Sequence, residues 1–171
     1  VGESWEISGF EDESSDISNG YLEDNALYDI IETYMGDIVG DDIYKCFGNE
    51  FPLLIKTLDI QDKLSVQVHP DDETAYDRHN SYGKSEAWYV LDAREDSVIY
   101  MGFNKDMDPN EFYRRCKEGN VEECLNCYHP KKGDFFYIEP GTIHSAGKGL
   151  VIVEIAQICD EHDIKSYLTI N

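Results

Sequence analysis

A chain of 171 residues has room for one compact domain. Its 36 Asp+Glu against 14 Lys+Arg give a formal net charge of −22, which argues against sequence-independent nucleic-acid binding and against docking on anionic membranes. With 41% hydrophobic residues there is enough apolar material for a core, so global disorder is not expected, and no apolar run approaches the ~20 residues of a membrane span.

The opening residues, Val1-Gly2-Glu3-Ser4-Trp5-Glu6-Ile7-Ser8, show neither a basic start nor an apolar stretch, so no signal peptide is expected. Five cysteines form an odd set without framework spacing, which suggests reduced thiols and a cytoplasmic location. Acidity is concentrated early: residues 1–50 hold fourteen acids and one base, Lys45. That stretch reads as a short strand, Ser4–Ser8, then a solvated loop, Gly9–Gly20. A helix is expected over Asn25–Tyr34, with Asn25 as cap, Leu27, Ile30, Ile31 and Tyr34 at helical spacing, and Gly36 or Gly40 at its end. Next, Leu53, Ile55 and Thr57, then Leu64, Val66 and Val68, alternate as two strands around an Asp59–Lys63 turn.

Pro70-Asp71-Asp72-Glu73 breaks this pattern and starts a short helical turn, which Ser81-Tyr82-Gly83 ends. Glu86–Leu91 and Val98–Phe103 read as strands. Asp108 and Pro109 open a helix running to Gly119, with Glu111 at capping-box spacing. A second helical turn is expected over Val121–Asn126. Strands follow at Phe135–Ile138 and Leu150–Ile158, with turns at Gly133-Asp134 and Pro140-Gly141. No repeat or heptad is visible. The fold class is therefore mainly β, a sandwich or barrel with two or more short inserted helices.

Four residues stand out chemically. In a strand, Gln67 and His69 share one face while Val66 and Val68 take the other, so the polar pair either lines a pocket or faces solvent. Glu86 opens the apolar run Ala87-Trp88-Tyr89-Val90-Leu91, where an ionised carboxylate needs a partner or a metal. His144 follows a Pro-Gly turn. Two imidazoles, a carboxylate and an amide oxygen, with no thiolate, suit Zn²⁺ and can also hold Fe, Mn or Co. Lys84, two residues before Glu86, either offers a cation to an anionic ligand near the metal or is an exposed turn lysine. Gly83 allows a close backbone approach. Cys124 and Cys127 have CxxC spacing with Cys116 upstream, but no second ligand pair, so buried or helix-edge thiols are expected there rather than structural zinc. Neither a phosphate-binding G-x-x-x-x-G-K-[ST] run nor a G-x-S-x-G elbow occurs.

Three segments resemble a known signature in order and spacing: Leu64-Ser65-Val66-Gln67-Val68-His69-Pro70-Asp71-Asp72, Gly83-Lys84-Ser85-Glu86-Ala87-Trp88-Tyr89, and Gly133-Asp134-Phe135-Phe136 leading to Pro140-Gly141-Thr142-Ile143-His144. They look like the type I mannose-6-phosphate isomerases (phosphomannose isomerases) in their short bacterial form. Gly2–Ser8 and Phe51–Lys56 are similar to that family too, so the resemblance covers about residues 1–160. It implies a cupin, a jelly-roll β-barrel, that interconverts mannose 6-phosphate and fructose 6-phosphate with one divalent metal, usually zinc. By motif position the implied metal ligands are Gln67, His69, Glu86 and His144. Ser65 and Lys84 match positions near the sugar phosphate or the reacting carbons. Glu154 and Asp160 match acidic positions close to the pocket and complete, with Lys84, the implied catalytic set. Such an isomerisation moves a proton between C1 and C2 through a cis-enediol, and needs a base and positive charge at the developing enediolate.

The resemblance departs from the family at the catalytic arginine, which lies four residues after the aspartate matching Asp160. That position here is Ile164, and the adjacent Lys165 would face the other way on a strand. Family members also begin some tens of residues earlier and usually carry a second β lobe. The 171 residues are thus expected to form a single cupin-type catalytic domain lacking both. Two alternatives remain: an Fe(II) cupin oxygenase built on His69, Glu86 and His144, and a sugar-phosphate-binding domain without turnover.

Overall fold

A strand with an apolar face must bury it against another such face, and here two sheets do this for each other. The computed structural model describes residues 1–158 and 168–170. The strands are β1 (Gly2–Ile7), β2 (Leu53–Ile60), β3 (Val66–Val68), β4 (Glu86–Ala93), β5 (Ile99–Phe103), β6 (Leu125–Tyr128), β7 (Phe135–Ile138), β8 (His144–Ala146), β9 (Leu150–Gln157) and β10 (Leu168–Ile170). They form two five-stranded antiparallel sheets, in the orders β1-β2-β9-β4-β7 and β10-β3-β8-β5-β6. The core between them joins Leu58, Ile60, Trp88, Val90, Ile138, Leu150 and Ile152 of the first sheet to Ile99 and Ala146 of the second. Each fully buried aliphatic or aromatic side chain here contributes roughly 1.5–3 kcal/mol relative to exposure.

The helices are α1 (Leu27–Tyr34), α2 (Gly36–Val39), α3 (Asp41–Phe47), α4 (Asp72–His79) and α5 (Pro109–Glu118), with a 3₁₀ turn over Val121–Cys124. Helix α5 follows its sequence signals closely. The Asp108 carboxylate accepts from the N–H groups of Asn110 and Glu111, Pro109 takes the first helical position, and Gly119 closes the helix at φ 71°. The Glu111 carboxylate pairs with Lys105 and Arg115. With the 3₁₀ turn, α5 covers a second apolar cluster that includes Val66, Val121, Cys124, Leu125, Phe112 and Tyr100.

Four expectations need correction. Asn25 does not cap α1: Ala26 occupies that position, while the Asn25 amide donates to the carbonyls of Leu22 and Glu23. Helices α2 and α3 were not expected. Neither buries a residue, so no apolar face marks them in the sequence, and positive φ at Met35, Gly40 and Gly48 separates and ends them. The segments around 53–57 and 64–68 are not a hairpin, because β2 lies in one sheet and β3 in the other. In β2 the buried residues are Leu54, Lys56, Leu58 and Ile60, the phase opposite to Leu53, Ile55 and Thr57. Both faces of β2 are rich in apolar residues, so alternation could not choose between them. The turn at 121–126 is also shorter than expected: it ends at Cys124, and Leu125 begins β6.

No helix among the described residues is long and apolar enough to cross a membrane. Replacing Asp108 by Ala leaves two N–H groups at the start of α5 without their acceptor. The variant is expected to lose about 1 kcal/mol of unfolding free energy in urea titrations.

Candidate metal centre

The two sheets bring chemistry as well as apolar surface face to face. Glu86, the first residue of β4, points inward between Ala156 and Ile138 of its neighbouring strands. From the opposite sheet, His144 opens β8 in register with Gln67 of β3 and Met101 of β5. His69 follows directly after β3, and its carbonyl accepts from the Gly141 N–H at 2.7 Å, tying it to the turn that delivers His144. His69, Glu86 and His144 are all buried, and one ligand atom from each lies within 4.8 Å of the others.

His69 Nε2 is 3.3 Å from Glu86 Oε1, and His144 Nε2 is 3.2 Å from Glu86 Oε2. His144 Nδ1 lies 2.9 Å from the Thr142 carbonyl. A carbonyl can only accept, so in the neutral imidazole the proton sits on Nδ1 and Nε2 presents a lone pair to a carboxylate oxygen. Both ring nitrogens of His69, Nε2 of His144 and Oε2 of Glu86 are buried without a hydrogen-bond partner among the described residues. Orphaned buried acceptors are costly. A donor set of two imidazoles and a carboxylate, aimed inward together, fits a divalent cation. Burial pushes the Glu86 carboxyl upward, but the two imidazoles and Lys84 outweigh it and hold it well below the ordinary carboxylate range. Burial also pulls the His69 imidazole below its usual value.

Gln67 shares the sheet face of His144 as its cross-strand neighbour and is half-buried. Ser65, two residues earlier, is half-buried at the entry to β3. Lys84 reaches the cluster, with Nζ 3.1 Å from Glu86 Oε1. Glu154 lies one inward position along from the Glu86 row. Its Oε2 accepts from the Trp88 indole N–H at 3.0 Å, and its Oε1 is 3.8 Å from Lys56 Nζ. Burial and the nearby Glu86 charge raise the Glu154 carboxyl, against the opposing pull of Lys84, Lys56 and Trp88. Asp160 lies outside the described residues, as do Ile164 and Lys165.

Sequence reasoning missed Lys56. It is the only cation in the buried phase of β2, in a register row that runs Trp5, Lys56, Glu154, Trp88, Phe136 across the first sheet. The signal was present: Lys56 falls at the same two-residue spacing as Leu54, Leu58 and Ile60. Trp88, fully buried, also meets the His144 ring edge-on at 5.5 Å. Cys124 is buried and donates its thiol to the Val121 carbonyl, Cys116 is half-buried, and Cys127 is exposed.

Residues 1–102 match the family model described as "Phosphomannose isomerase type I, catalytic domain". The chain belongs to this family. It is 36% identical over 164 residues to the mannose-6-phosphate isomerase ManA of Bacillus subtilis, covering 94% of this chain and 49% of that protein. The crystal structure of the mannose 6-phosphate isomerase from Bacillus subtilis superposes with a TM-score of 0.79 at 31% identity, over 93% of this chain and 49% of that one. The mainly β, cupin-type expectation therefore holds. A more distant mannose 6-phosphate isomerase structure, titled "holo; zinc bound", shares the fold with a TM-score of 0.70 at 18% identity, over 98% of this chain and 61% of that one. The chain spans about half the length of the curated relatives it matches.

The Lys56–Glu154 pair gives the first test of the site's electrostatics. Lys56→Met removes from the buried Glu154 carboxylate the cation 3.8 Å away, and is expected to cost about 3 kcal/mol in denaturant unfolding at neutral pH. Adding Glu154→Gln to that variant is expected to recover most of the loss. The Glu154 carboxyl is raised in the folded protein, so the unfolded chain releases this proton first as pH rises. Its contribution to stability is thus full below the ordinary carboxylate value and declines as pH climbs toward the raised one.

Proposed function

We propose that this domain acts as a single catalytic unit, a metal-dependent aldose–ketose isomerase that interconverts mannose 6-phosphate and fructose 6-phosphate. One observation carries the reading: two buried imidazoles and a buried carboxylate turn orphaned lone pairs toward one another, in a chain of the phosphomannose isomerase family. The proposed ligands are His69, Glu86 and His144, with Gln67 as the fourth, and the proposed metal is zinc. When bound, the ion supplies positive charge beside the sugar oxygens that become negative as the enediol forms.

The chain's own residues supply the rest. Lys84 places a second positive charge next to Glu86, and Lys56 places another beside Glu154. These interior cations offset the Glu86 and Glu154 carboxylates, and a bound divalent ion would add the local positive charge that a phosphorylated sugar needs, because the net charge of −22 repels it at long range. Glu154 is the proposed proton carrier between C2 and C1. A carboxyl raised by burial is a better match for taking and returning a carbon-bound proton near neutral pH than an ordinary one. The Trp88 indole fixes one Glu154 oxygen and leaves the other toward Lys56. Ser65 is proposed at the sugar phosphate. Asp160 joins the catalytic set by its motif position alone. A cytoplasmic location belongs to the same proposal and is supported by Cys46, Cys116, Cys124 and Cys127, which form no disulfide among the described residues.

The test is a coupled assay on the full-length protein with mannose 6-phosphate. Turnover is expected to vanish on chelation and return with zinc at one ion per chain. Lys84→Ala is expected to lower kcat/KM by about two orders of magnitude. If the zinc-restored protein binds the sugar phosphate and never turns it over, the domain is a binding module. Turnover that requires Fe(II) and consumes O₂ would instead mark an oxygenase.

A further inference from the structure

Pro70, Asp71, Asp72 and Gly83 lie beside the candidate site, and the chemistry above leaves them without a role. They form the neck of an excursion. The chain leaves the second sheet at His69, runs through α4, and re-enters the first sheet at Glu86. At the neck the outgoing and returning strands of backbone touch. Lys84 N–H donates to the Pro70 carbonyl at 3.0 Å, and Gly83 N–H donates to Asp72 Oδ1 at 2.9 Å. A Cβ on Gly83 would come within 2.5 Å of the Asp71 carbonyl carbon and 2.6 Å of the Asp72 nitrogen, so only glycine permits this approach. The next amide, Ser85 N–H, donates to Gln157 Oε1 at 2.8 Å. Three successive amides are thus held by fixed acceptors, and the middle one belongs to Lys84.

The two aspartates divide the work. Asp71 is the N-cap of α4 and accepts from Thr74 N–H at 2.8 Å. Asp72 is not needed as that cap, and its Oδ1 turns to the returning chain. We infer that Asp72 is a positioning residue for Lys84: its carboxylate, by holding the Gly83 N–H, fixes the backbone from which the Lys84 ammonium reaches Glu86. The kinetic part of this inference rests on the proposed isomerase function, and the structural part does not.

The test compares Asp72→Ala, Asp72→Asn and Asp71→Ala in the full-length zinc-loaded protein. Asp72→Ala is expected to lower kcat/KM for mannose 6-phosphate about tenfold, the scale of one lost hydrogen bond to a charged acceptor. Its zinc content should stay at one per chain. Amide hydrogen exchange at Gly83 and Lys84 should quicken in Asp72→Ala. Asp72→Asn, which keeps an acceptor oxygen, should restore both rate and protection. Asp71→Ala should lower thermal stability through α4 without moving Lys84 exchange. The inference is overturned if Asp72→Ala keeps native kcat/KM, if it loses zinc together with activity, or if Asp71→Ala reproduces its effects. Should the native zinc protein show no isomerase turnover, the functional reading fails separately. The exchange measurement then decides the tie alone, and unchanged protection at Lys84 in Asp72→Ala refutes it.

Discussion

A carboxylate buried between two lone-pair-bearing imidazoles organises this molecule. Glu86 sits on one sheet and His69 and His144 on the side of the other, each close to 3.2 Å from a carboxylate oxygen, and among the described residues His69 Nε2, His144 Nε2 and Glu86 Oε2 have no hydrogen-bond partner. Where an imidazole turns its lone pair to the carboxylate, as His144 does, the contact is repulsive unless positive charge lies between the groups. Lys84 supplies part of that charge from the side. Ile138 lies in register beside Glu86 and Trp88 meets the His144 ring edge-on, so the buried cluster borders the apolar core. The core therefore sharpens the site's demand for a cation as well as holding the sheets together.

Beside this cluster lies a second buried set, Lys56, Glu154 and Trp88, arranged as register neighbours across three strands. The sets differ in the direction in which they move their carboxyls. Glu86 is held ionised by its neighbours, while Glu154 is pushed toward the neutral form by burial and by the charge of Glu86 itself. The same barrel interior produces both directions from the different partners of the two groups.

The sequence was most legible where local chemistry decides local structure. The Asp108-Pro109 start and Gly119 stop of α5 are complete signals within a dozen residues, and they came out as read. Gly83 could be singled out because a glycine beside a turn implies close approach, but the partner backbone at Asp71 and Asp72 is twelve and eleven residues away and could only be seen in three dimensions. His69, Glu86 and His144 attracted notice as polar residues among apolar ones, yet nothing in their spacing says that they meet. That meeting depends on β3 and β8 lying in the sheet opposite β4. The same cause explains the error over 53–68, where alternation located two strands but was silent about which sheet each joins, and in β2 pointed to the wrong phase. Lys56 was lost because β2 has two apolar faces, so the phase of its burial was ambiguous. Helices α2 and α3 were invisible because they bury nothing.

Trp88 has a consequence of a different kind. The chain contains two tryptophans, and Trp88 is wholly enclosed, edge-on to the His144 ring and bonded through its indole nitrogen to Glu154. Trp5 lies at the outer end of the same row and retains partial contact with solvent. The two indoles therefore sit in different surroundings, and the one that borders both buried carboxylate sets is expected to emit further to the blue. Its fluorescence is an intrinsic optical gauge of charge in the barrel interior, built in without any label.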